Sequence, residues 1–495
     1  MIEGVPMRTC RRLFKSLCLI AGAFLLMGAV GCAQNPVTGL NDFVLLSEDN
    51  ELNIGRTGHP KIIAEYGRYQ DEAMQIYVQT IGERLAKVSH RQDLIYHFTV
   101  LDSAVINAFA LPGGYIYITR GLMAYLNSEA ELAAVLGHEI GHVTARHGIR
   151  QQSAAQAANL SYTIGSILLP ELRGGGSQDL FNTMSGALLS GYGRKQELES
   201  DGLGAQYLAR SGYAPTAMLD VISILKNQSS FAKAQAKQQG FESQGYHGLF
   251  ASHPDNDTRL KNVVSTANQY IVQTGAVKRG DYLNRINGMT FGDSEKQGIR
   301  SGQYFYHLEM GFSVKFPKEW QINNKEESLQ SIASGGKAFI EMRVEDLNRR
   351  LSPHQFIQQH LGINKIEGGK ILIVNGLNGY TGLVGREGKW ERVSVIYLDE
   401  KAFVFISGAK NNQLFNQYDA LFLATAESLQ RLKENEFRLA KAKRIEVKTV
   451  TKIDNYQLWS TRSRISNSPL MQLRLLNGDY PDGELRTGQR AKFIQ

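Results

Sequence analysis

One stretch, from Leu132 to His147, limits the possible folds of this chain most: it reads Leu-Ala-Ala-Val-Leu-Gly-His-Glu-Ile-Gly-His-Val-Thr-Ala-Arg-His. Its apolar residues recur at helical spacing, which predicts a buried helix. His138 and His142 are four residues apart and share one helix face, where two imidazoles could chelate one tetrahedral zinc ion. Glu139 could act as a base on water at that metal. The alternative is a helix that carries these residues by chance, so a further ligand must be found.

The position of a third ligand separates the classes of peptidase that use two histidines on a helix. One class needs a glycine at position 145 and a histidine at position 148. The chain has Ala145 and Gly148, which excludes that class. His147 is one residue away from the required place, and its side chain would point away from the metal. We expect His147 to support the site from outside or to lie on the surface.

A second candidate segment lies downstream, between Gly193 and Ala209, where apolar residues at helical spacing predict an amphipathic helix. Glu197 and Asp201 are four residues apart and share one face of that helix. One carboxylate could bind zinc, and the other could accept the N–H of a zinc-binding histidine. Paired acids on a helix are usually just solvated, so this assignment depends on the upstream motif.

Together, the His138–His142 motif and the Glu197-x-Glu199-x-Asp201 segment resemble the gluzincin zinc metallopeptidase family, which includes the CAAX prenyl proteases and HtpX. The sequence Asn-Ala-Phe-Ala-Leu-Pro-Gly-Gly, which begins at Asn107, resembles that family upstream of its zinc helix. The likeness covers roughly residues 35 to 265, and Ser200 stands where the family commonly has alanine. Because the chain shows no long transmembrane helices, it looks most similar to the periplasmic, BepA-like lipoprotein branch.

The resemblance implies a zinc-dependent endopeptidase with one zinc ion per chain, acting on unfolded or misassembled exported proteins in envelope quality control. The implied site residues are His138, His142 and Glu197 as metal ligands, Glu139 as the catalytic base, Asp201 as the partner of a ligating histidine and Arg194 as a candidate transition-state donor. The rival interpretation is a non-catalytic periplasmic chaperone or assembly factor with a structural zinc site. The presence of Glu139 argues against this rival, because a structural site needs no base.

The segment from Asn107 to Ile118 is the candidate strand for holding a substrate. In many peptidases an edge strand beside the zinc binds the substrate backbone as an added strand. We assign this role to Asn107, Ala108, Phe109 and Ala110. An ordinary hairpin packed on the motif helix explains the same pattern equally well.

His253 stands before Pro254 in a Ser-His-Pro sequence. In the BepA-like branch, a histidine in a matching context can occupy the open zinc position and hold the enzyme off. The resemblance therefore makes His253 a candidate inhibitory fourth ligand. A histidine at the start of a helix is the alternative.

The first 32 residues predict an exported, lipid-anchored protein. A basic stretch precedes an apolar run that is short for a membrane span, and small residues precede Cys32 as in a bacterial lipobox. Lipidation at Cys32 would place the chain in the periplasm. Position 33 is Ala and lacks the Asp that resembles an inner-membrane retention signal, which favours an anchor in the outer membrane. An uncleaved N-terminal anchor is the alternative.

The net charge of the chain is +8, but the sequence has no basic stripe interleaved with aromatic residues, which argues against nucleic-acid binding. Outer-membrane assembly machinery is a candidate partner.

The predicted fold class is α+β: a mainly helical zinc-peptidase domain with a small edge β-hairpin or sheet, followed by a C-terminal α+β domain. The predicted divisions are a lipoprotein signal peptide at 1–31, an anchor linker at 32–58, the peptidase domain at 59–273, a linker at 274–302, an accessory domain at 303–435 and a small domain at 436–495. The start of the accessory domain resembles sheet domains of the PsbP and Mog-one type. The last segment faintly resembles half of a LysM module.

Overall fold

The structure is a computed structural model that describes residues 32–44, 46–154, 192–238, 259, 275–324 and 328–495. The predicted signal peptide at 1–31 and the candidate ligand His253 lie outside the described residues. Within the described ranges, no helix is both long enough and apolar enough to cross a membrane.

Two short strands and two helices open the described chain. β1 (Cys32–Gln34) and β2 (Asn41–Phe43) form an antiparallel hairpin, and α1 (Glu48–Tyr66) and α2 (Glu72–Ala86) follow. The Ser47 side chain accepts a hydrogen bond from the Asn50 N–H and so caps α1. Helical structure therefore begins at residue 48, inside the segment that the sequence predicts as a linker.

A small sheet and the motif helix form the centre of the peptidase region. The strand order is β3 (His97–Leu101), β5 (Tyr115–Thr119) and β4 (Ala108–Leu111). β3 runs parallel to β5 and β4 runs antiparallel to it. The sheet leads into α3 (Arg120–Tyr125) and then α4 (Glu129–Thr144), in which every residue is buried. The predicted motif helix is thus a core element.

Three further helices surround α4. α5 (Arg194–Arg210) and α6 (Ala217–Gln238) pack against it. α7 (Arg279–Ile286) lies in the segment 274–302, which the sequence predicts as a linker. This helix is short and mostly polar, which explains why composition alone indicated a linker. It nevertheless buries Tyr282, Leu283 and Ile286 in the peptidase core.

The accessory region is a separate sheet unit with its own core. Its smaller sheet contains, in spatial order, Gln430–Arg431, Phe312–Lys315, Tyr304–His307 and Ile299–Ser301. Its seven-stranded antiparallel sheet contains, in spatial order, Gln321–Asn324, Leu329–Ile332, Ala338–Asp346, Lys401–Ala409, Lys389–Leu398, Leu377–Arg386 and Glu367–Val374. α8 (Asn412–Glu427) covers this sheet and buries Phe415 and Phe422 against it.

The C-terminal segment returns to the peptidase region. It comprises β7 (Lys443–Thr449), α9 (Tyr456–Arg462), α10 (Pro469–Asn477) and β8 (Arg490–Ile494). β7 pairs with β8 and with β6 (Thr290–Phe291).

The apolar side chains of this C-terminal segment belong to the same hydrophobic cluster as those of α4. Lys492 is fully buried, and its Nζ donates to the carbonyls of Ala124 and Leu126 at 2.7 Å each, just before α4 begins. Residues 436–495 thus share a core with the peptidase region. The predicted α+β class, with a helical N-terminal region and a sheet-rich C-terminal domain, is confirmed.

Candidate metal centre

α4 and α5 approach closely because small residues face each other at their crossing. A Cβ atom added at Gly141 would lie 3.0 Å from the Ser200 Cα, and one at Gly137 would lie 3.4 Å from the Gly204 Cα. Distances this short leave no room for a larger side chain on α4. The glycines therefore set a helix separation at which histidines on α4 can meet a carboxylate on α5.

Three side chains converge at this crossing. The Nε2 atoms of His138 and His142 are 2.9 Å apart, and the carboxylate oxygens of Glu197 lie 3.6 Å and 3.5 Å from them. All three residues are buried. Donor atoms bound to one tetrahedral zinc at about 2.0–2.2 Å would be roughly 3.3–3.5 Å apart. The two distances from Glu197 match this spacing, and the two imidazole nitrogens would move apart by a few tenths of an ångström to share one zinc ion with it.

His138 is held from behind by a buried acid. Its Nδ1 lies 2.9 Å from Asp201 Oδ1, which leaves Nε2 directed at the other two ligand atoms. Burial alone would raise the pKa of Asp201, but the guanidinium of Arg259 holds that pKa well below its usual range. Asp201 is therefore a carboxylate, and its Oδ1 faces the Nδ1 atom of the His138 ring.

Arg259 joins two acids of α5, Asp201 and Glu197. Its Nη2 and Nε donate to the two oxygens of Asp201 at 2.7 Å and 2.8 Å, and its Nη1 lies 3.2 Å from Glu197 Oε2. Only 3% of Arg259 is exposed. The sequence analysis missed this residue, since it follows Asp201 by 58 positions and no periodic pattern connects them.

His142 is held by a second chain of hydrogen bonds. Glu199 Oε2 lies 3.0 Å from His147 Nε2, and His147 Nδ1 lies 2.8 Å from His142 Nδ1. If His147 Nε2–H donates to Glu199, its Nδ1 accepts from His142 Nδ1–H, and the lone pair on His142 Nε2 faces the site. Burial lowers the pKa of His147, which favours this neutral form. The sequence predicts that His147 either supports the site from outside or lies on the surface. The structure shows it fully buried beside the candidate ligand His142. Ser200 Oγ lies 3.3 Å from His147 Nδ1.

Glu139 and Tyr192 complete the surroundings. Glu139 is 1% exposed and follows the first candidate ligand on α4. The ring of Tyr192 stacks on His142 with centroids 3.9 Å apart. Burial raises the pKa of Tyr192, and the negative charges of Glu139 and Glu197 raise it further. The sequence analysis missed Tyr192, because its isolated position carries no motif.

The predicted substrate strand lies next to this group. β4 pairs with β5 and, within the described residues, with no other strand, so it is a sheet edge. Ala110 and Leu111 line the same small cleft as His142 and Tyr192. Asn107, Ala108 and Phe109 lie just before that point along the edge. Arg194, by contrast, is an exposed residue at the start of α5.

Residues 72–267 match the profile of the family described as Peptidase family M48. This segment is an M48 peptidase domain. The chain is 32% identical over 266 residues to the beta-barrel assembly-enhancing protease of Yersinia pestis, across 51% of this chain and 52% of that protein. It is 37% identical over 131 residues to the mitochondrial metalloendopeptidase OMA1 of Arabidopsis thaliana, across 26% of each chain. The chain spans about half the length of the beta-barrel assembly-enhancing proteases that it matches.

The family match confirms the gluzincin resemblance that the motifs indicate, and M48 metallopeptidases are zinc-dependent. The candidate ligands and the acids around them all lie within the M48 domain. Among solved structures, the cyanobacterial PsbP of Synechocystis sp. PCC 6803 is similar at 11% identity and a TM-score of 0.21, over 27% of this chain and 93% of that one. A likeness at this level supports no conclusion about the accessory region.

Proposed function

We propose that the M48 domain is a zinc-dependent endopeptidase, with His138, His142 and Glu197 as the metal ligands. The observation that carries the proposal is the convergence of these three buried side chains at distances that suit one tetrahedral ion. When bound, zinc supplies a Lewis acid that polarises the scissile carbonyl and makes water more acidic.

Glu139 is the proposed general base. It takes a proton from the attacking water and passes it to the leaving amine. Its place next to His138 on a fully buried helix supports this role, because it puts a carboxylate beside the candidate ligands. Asp201 and His147 orient the two imidazoles and are positioning residues in this scheme.

The substrate class that fits this site is an extended polypeptide. A chain that pairs with the free side of β4 would pass along Ala110 and Leu111 toward the cleft beside His142. Unfolded or misassembled proteins offer such extended backbone. The names of the bacterial relatives, beta-barrel assembly-enhancing proteases, favour substrates and partners in the outer-membrane assembly pathway of the cell envelope.

An envelope location agrees with the predicted lipid attachment at Cys32, which would hold the enzyme at the periplasmic face of the outer membrane. Inhibition by His253 is a further part of this proposal that rests on the sequence alone. The rival function, a chaperone with a structural zinc, predicts zinc binding without proteolysis.

The deciding experiment measures bound zinc and cleavage of unfolded casein for the wild type and for Glu139→Gln, Glu197→Gln and Glu427→Gln. Glu427 is exposed on α8 in the accessory region and serves as the matched control. We expect Glu139→Gln to keep one zinc per chain and lose cleavage, Glu197→Gln to lose both, and Glu427→Gln to lose neither. Undiminished cleavage in Glu139→Gln would rule out the mechanism, and zinc without cleavage in the wild type would favour the chaperone.

A further inference from the structure

A cavity of about 440 Å³ lies where the peptidase region, the accessory region and the C-terminal segment meet. None of its lining residues belongs to the candidate metal centre. Its walls come from α3 and the loop before β4, from β6, from the start of the accessory region and from the C-terminal segment. The volume is typical of sites for small ligands, roughly 300–1,000 Å³. We call it the junction cavity.

Arg120 provides an unsatisfied donor at this cavity. Its side chain lines the cavity and is fully buried. Nε donates to Asp102 Oδ1 at 2.6 Å, and Nη1 donates to the carbonyls of Thr290 and Gly292. Nη2 has no hydrogen-bond partner among the residues that the structure describes. A buried guanidinium donor without an acceptor is unfavourable, so an acceptor from a ligand would be stabilising there.

Lys443 brings a second cation to the same cavity from β7. Burial lowers the pKa of its ammonium group; Asp293 opposes that shift, and Arg464 and Arg300 add to it. Asp293, the acid among the lining residues, is held by Arg300, whose Nη2 lies 2.6 Å from Oδ1. Asp102 is likewise held by Arg120. The positive charge of Lys443 is therefore left for a ligand to neutralise.

Apolar side chains form one part of the remaining wall, and Ser466, Asn467 and Gln472 form a polar part. Phe291, Trp320 and Ile465 line the cavity beside the two cations. A fully hydrated anion gains nothing from aromatic and aliphatic walls, whereas an anion attached to an apolar group would bury that group against them. Among the lining residues, Lys443 is the one cation that no acid holds, and this single charge suits a monoanion better than a phosphate dianion, which would leave excess negative charge beside the lining residues.

We propose that the junction cavity binds a carboxylate carried by an apolar or aromatic group, with Arg120 Nη2 and Lys443 Nζ as the donors to the carboxylate. A C-terminal residue of a polypeptide and a free small carboxylic acid share this chemistry. The proposal does not depend on the proposed peptidase activity, because the cavity and the metal centre have no residue in common.

The test is isothermal titration calorimetry of the full chain with N-acetyl-L-phenylalanine and with N-acetyl-L-phenylalaninamide. The amide keeps the ring and removes the charge. We expect the acid to bind at least roughly tenfold more tightly than the amide, since hydrogen bonds to a charged group carry that difference. Equal binding of the acid and the amide, or no saturable binding of either, would overturn the proposal.

Matched variants test whether the acid binds in the junction cavity. Lys443→Gln should weaken binding of the acid about tenfold, whereas Lys441→Gln should leave it unchanged, because Lys441 is an exposed lysine two residues away. Arg120→Gln should abolish binding, with a thermal melt to establish that the variant is folded. If Arg120→Gln does not fold, the comparison of acid binding by Lys443→Gln and Lys441→Gln decides whether the acid binds in the cavity. Equal effects of the two lysine variants would contradict the assignment.

Two further titrations identify the source of the carboxylate and separate this site from the metal centre. A pentapeptide that ends in phenylalanine is compared with its C-terminally amidated form. Preference for the free peptide assigns the cavity to polypeptide C termini, and binding of only the small acid assigns it to a small metabolite. The Glu139→Gln variant should bind the acid as the wild type does. A loss of acid binding in this variant would contradict a site separate from the metal centre.

Discussion

Arg259 binds Asp201 through both carboxylate oxygens, at 2.7 Å and 2.8 Å, inside a buried group that also contains Glu197. Its guanidinium offsets part of the negative charge of two acids at the candidate metal centre. Asp201 in turn contacts His138. Arg259 therefore links the charge of α5 to the orientation of a candidate ligand.

Loss of Arg259 should destabilise the protein. Arg259→Met leaves two buried carboxylates without their cation, and we expect the free energy of unfolding to fall by about 3–5 kcal/mol. Chemical denaturation measures this, with Arg431→Met as the matched control. Arg431 holds Asp399 through both oxygens in the same way, but the pair is exposed and screened by water, so Arg431→Met should change the stability far less than Arg259→Met does. If the free energy of unfolding falls equally in the two variants, burial of the Arg259 pair adds no stability beyond that of an exposed pair.

His147 should tune zinc affinity. In His147→Ala, His142 loses the acceptor for its Nδ1–H, so its imidazole is less well oriented and less basic. We expect zinc to bind about 10–100-fold more weakly, while the fold is kept. Competition with a fluorescent chelator measures the affinity. His360→Ala, an exposed histidine in the accessory region, is the control and should bind zinc normally. An unchanged affinity in His147→Ala would mean that the His142–His147 contact does not support metal binding.

Gly141 should be intolerant of even a methyl group. In Gly141→Ala the new Cβ would meet the Cα and carbonyl of Ser200 at 3.0 Å and 3.1 Å, both backbone atoms that cannot move aside alone. We expect a loss of about 1–3 kcal/mol and weaker zinc binding, since α4 and α5 must separate. Thermal melts with and without zinc check both effects. Gly280→Ala, where a Cβ meets nothing within 4 Å, should be neutral or slightly stabilising. A neutral Gly141→Ala would show that the crossing is loosely packed.

Glu129 should make stability depend on acid pH. Burial alone would raise its pKa, but hydrogen bonds from Lys278, Tyr213 and Tyr77 outweigh burial and hold the pKa below its usual range. A carboxyl whose pKa is lowered by folding adds stability above its ordinary pKa, near 4.3, and that stability is lost as the pH falls through the lowered value. We expect Glu129→Gln to be less stable than the wild type at pH 7. Urea unfolding from pH 7 to pH 3 should show the two converging, and a constant difference would contradict this linkage.

Local regularities account for most of what the sequence predicts correctly about the elements. Helical spacing predicts α4 and places His138 and His142 on one face, and the same spacing predicts α5 with Glu197 and Asp201 together. Other elements show no local pattern. α7 is too short and too polar to be recognised from its sequence, and its burial depends on neighbours distant in sequence.

Helix periodicity and residue chemistry thus let the sequence alone determine the fold class, the motif helix and a set of candidate ligands. Only the tertiary structure decided that Arg259 contacts two acids of α5, that His147 is buried against His142, and that residues 436–495 share a core with the M48 domain. The reason is that a periodic pattern records which face of an element is apolar, but not which distant element covers it. Pairing of β6 with β7 and the hydrogen bonds from Lys492 to the carbonyls of Ala124 and Leu126 join segments far apart in the chain, and no local spacing encodes them.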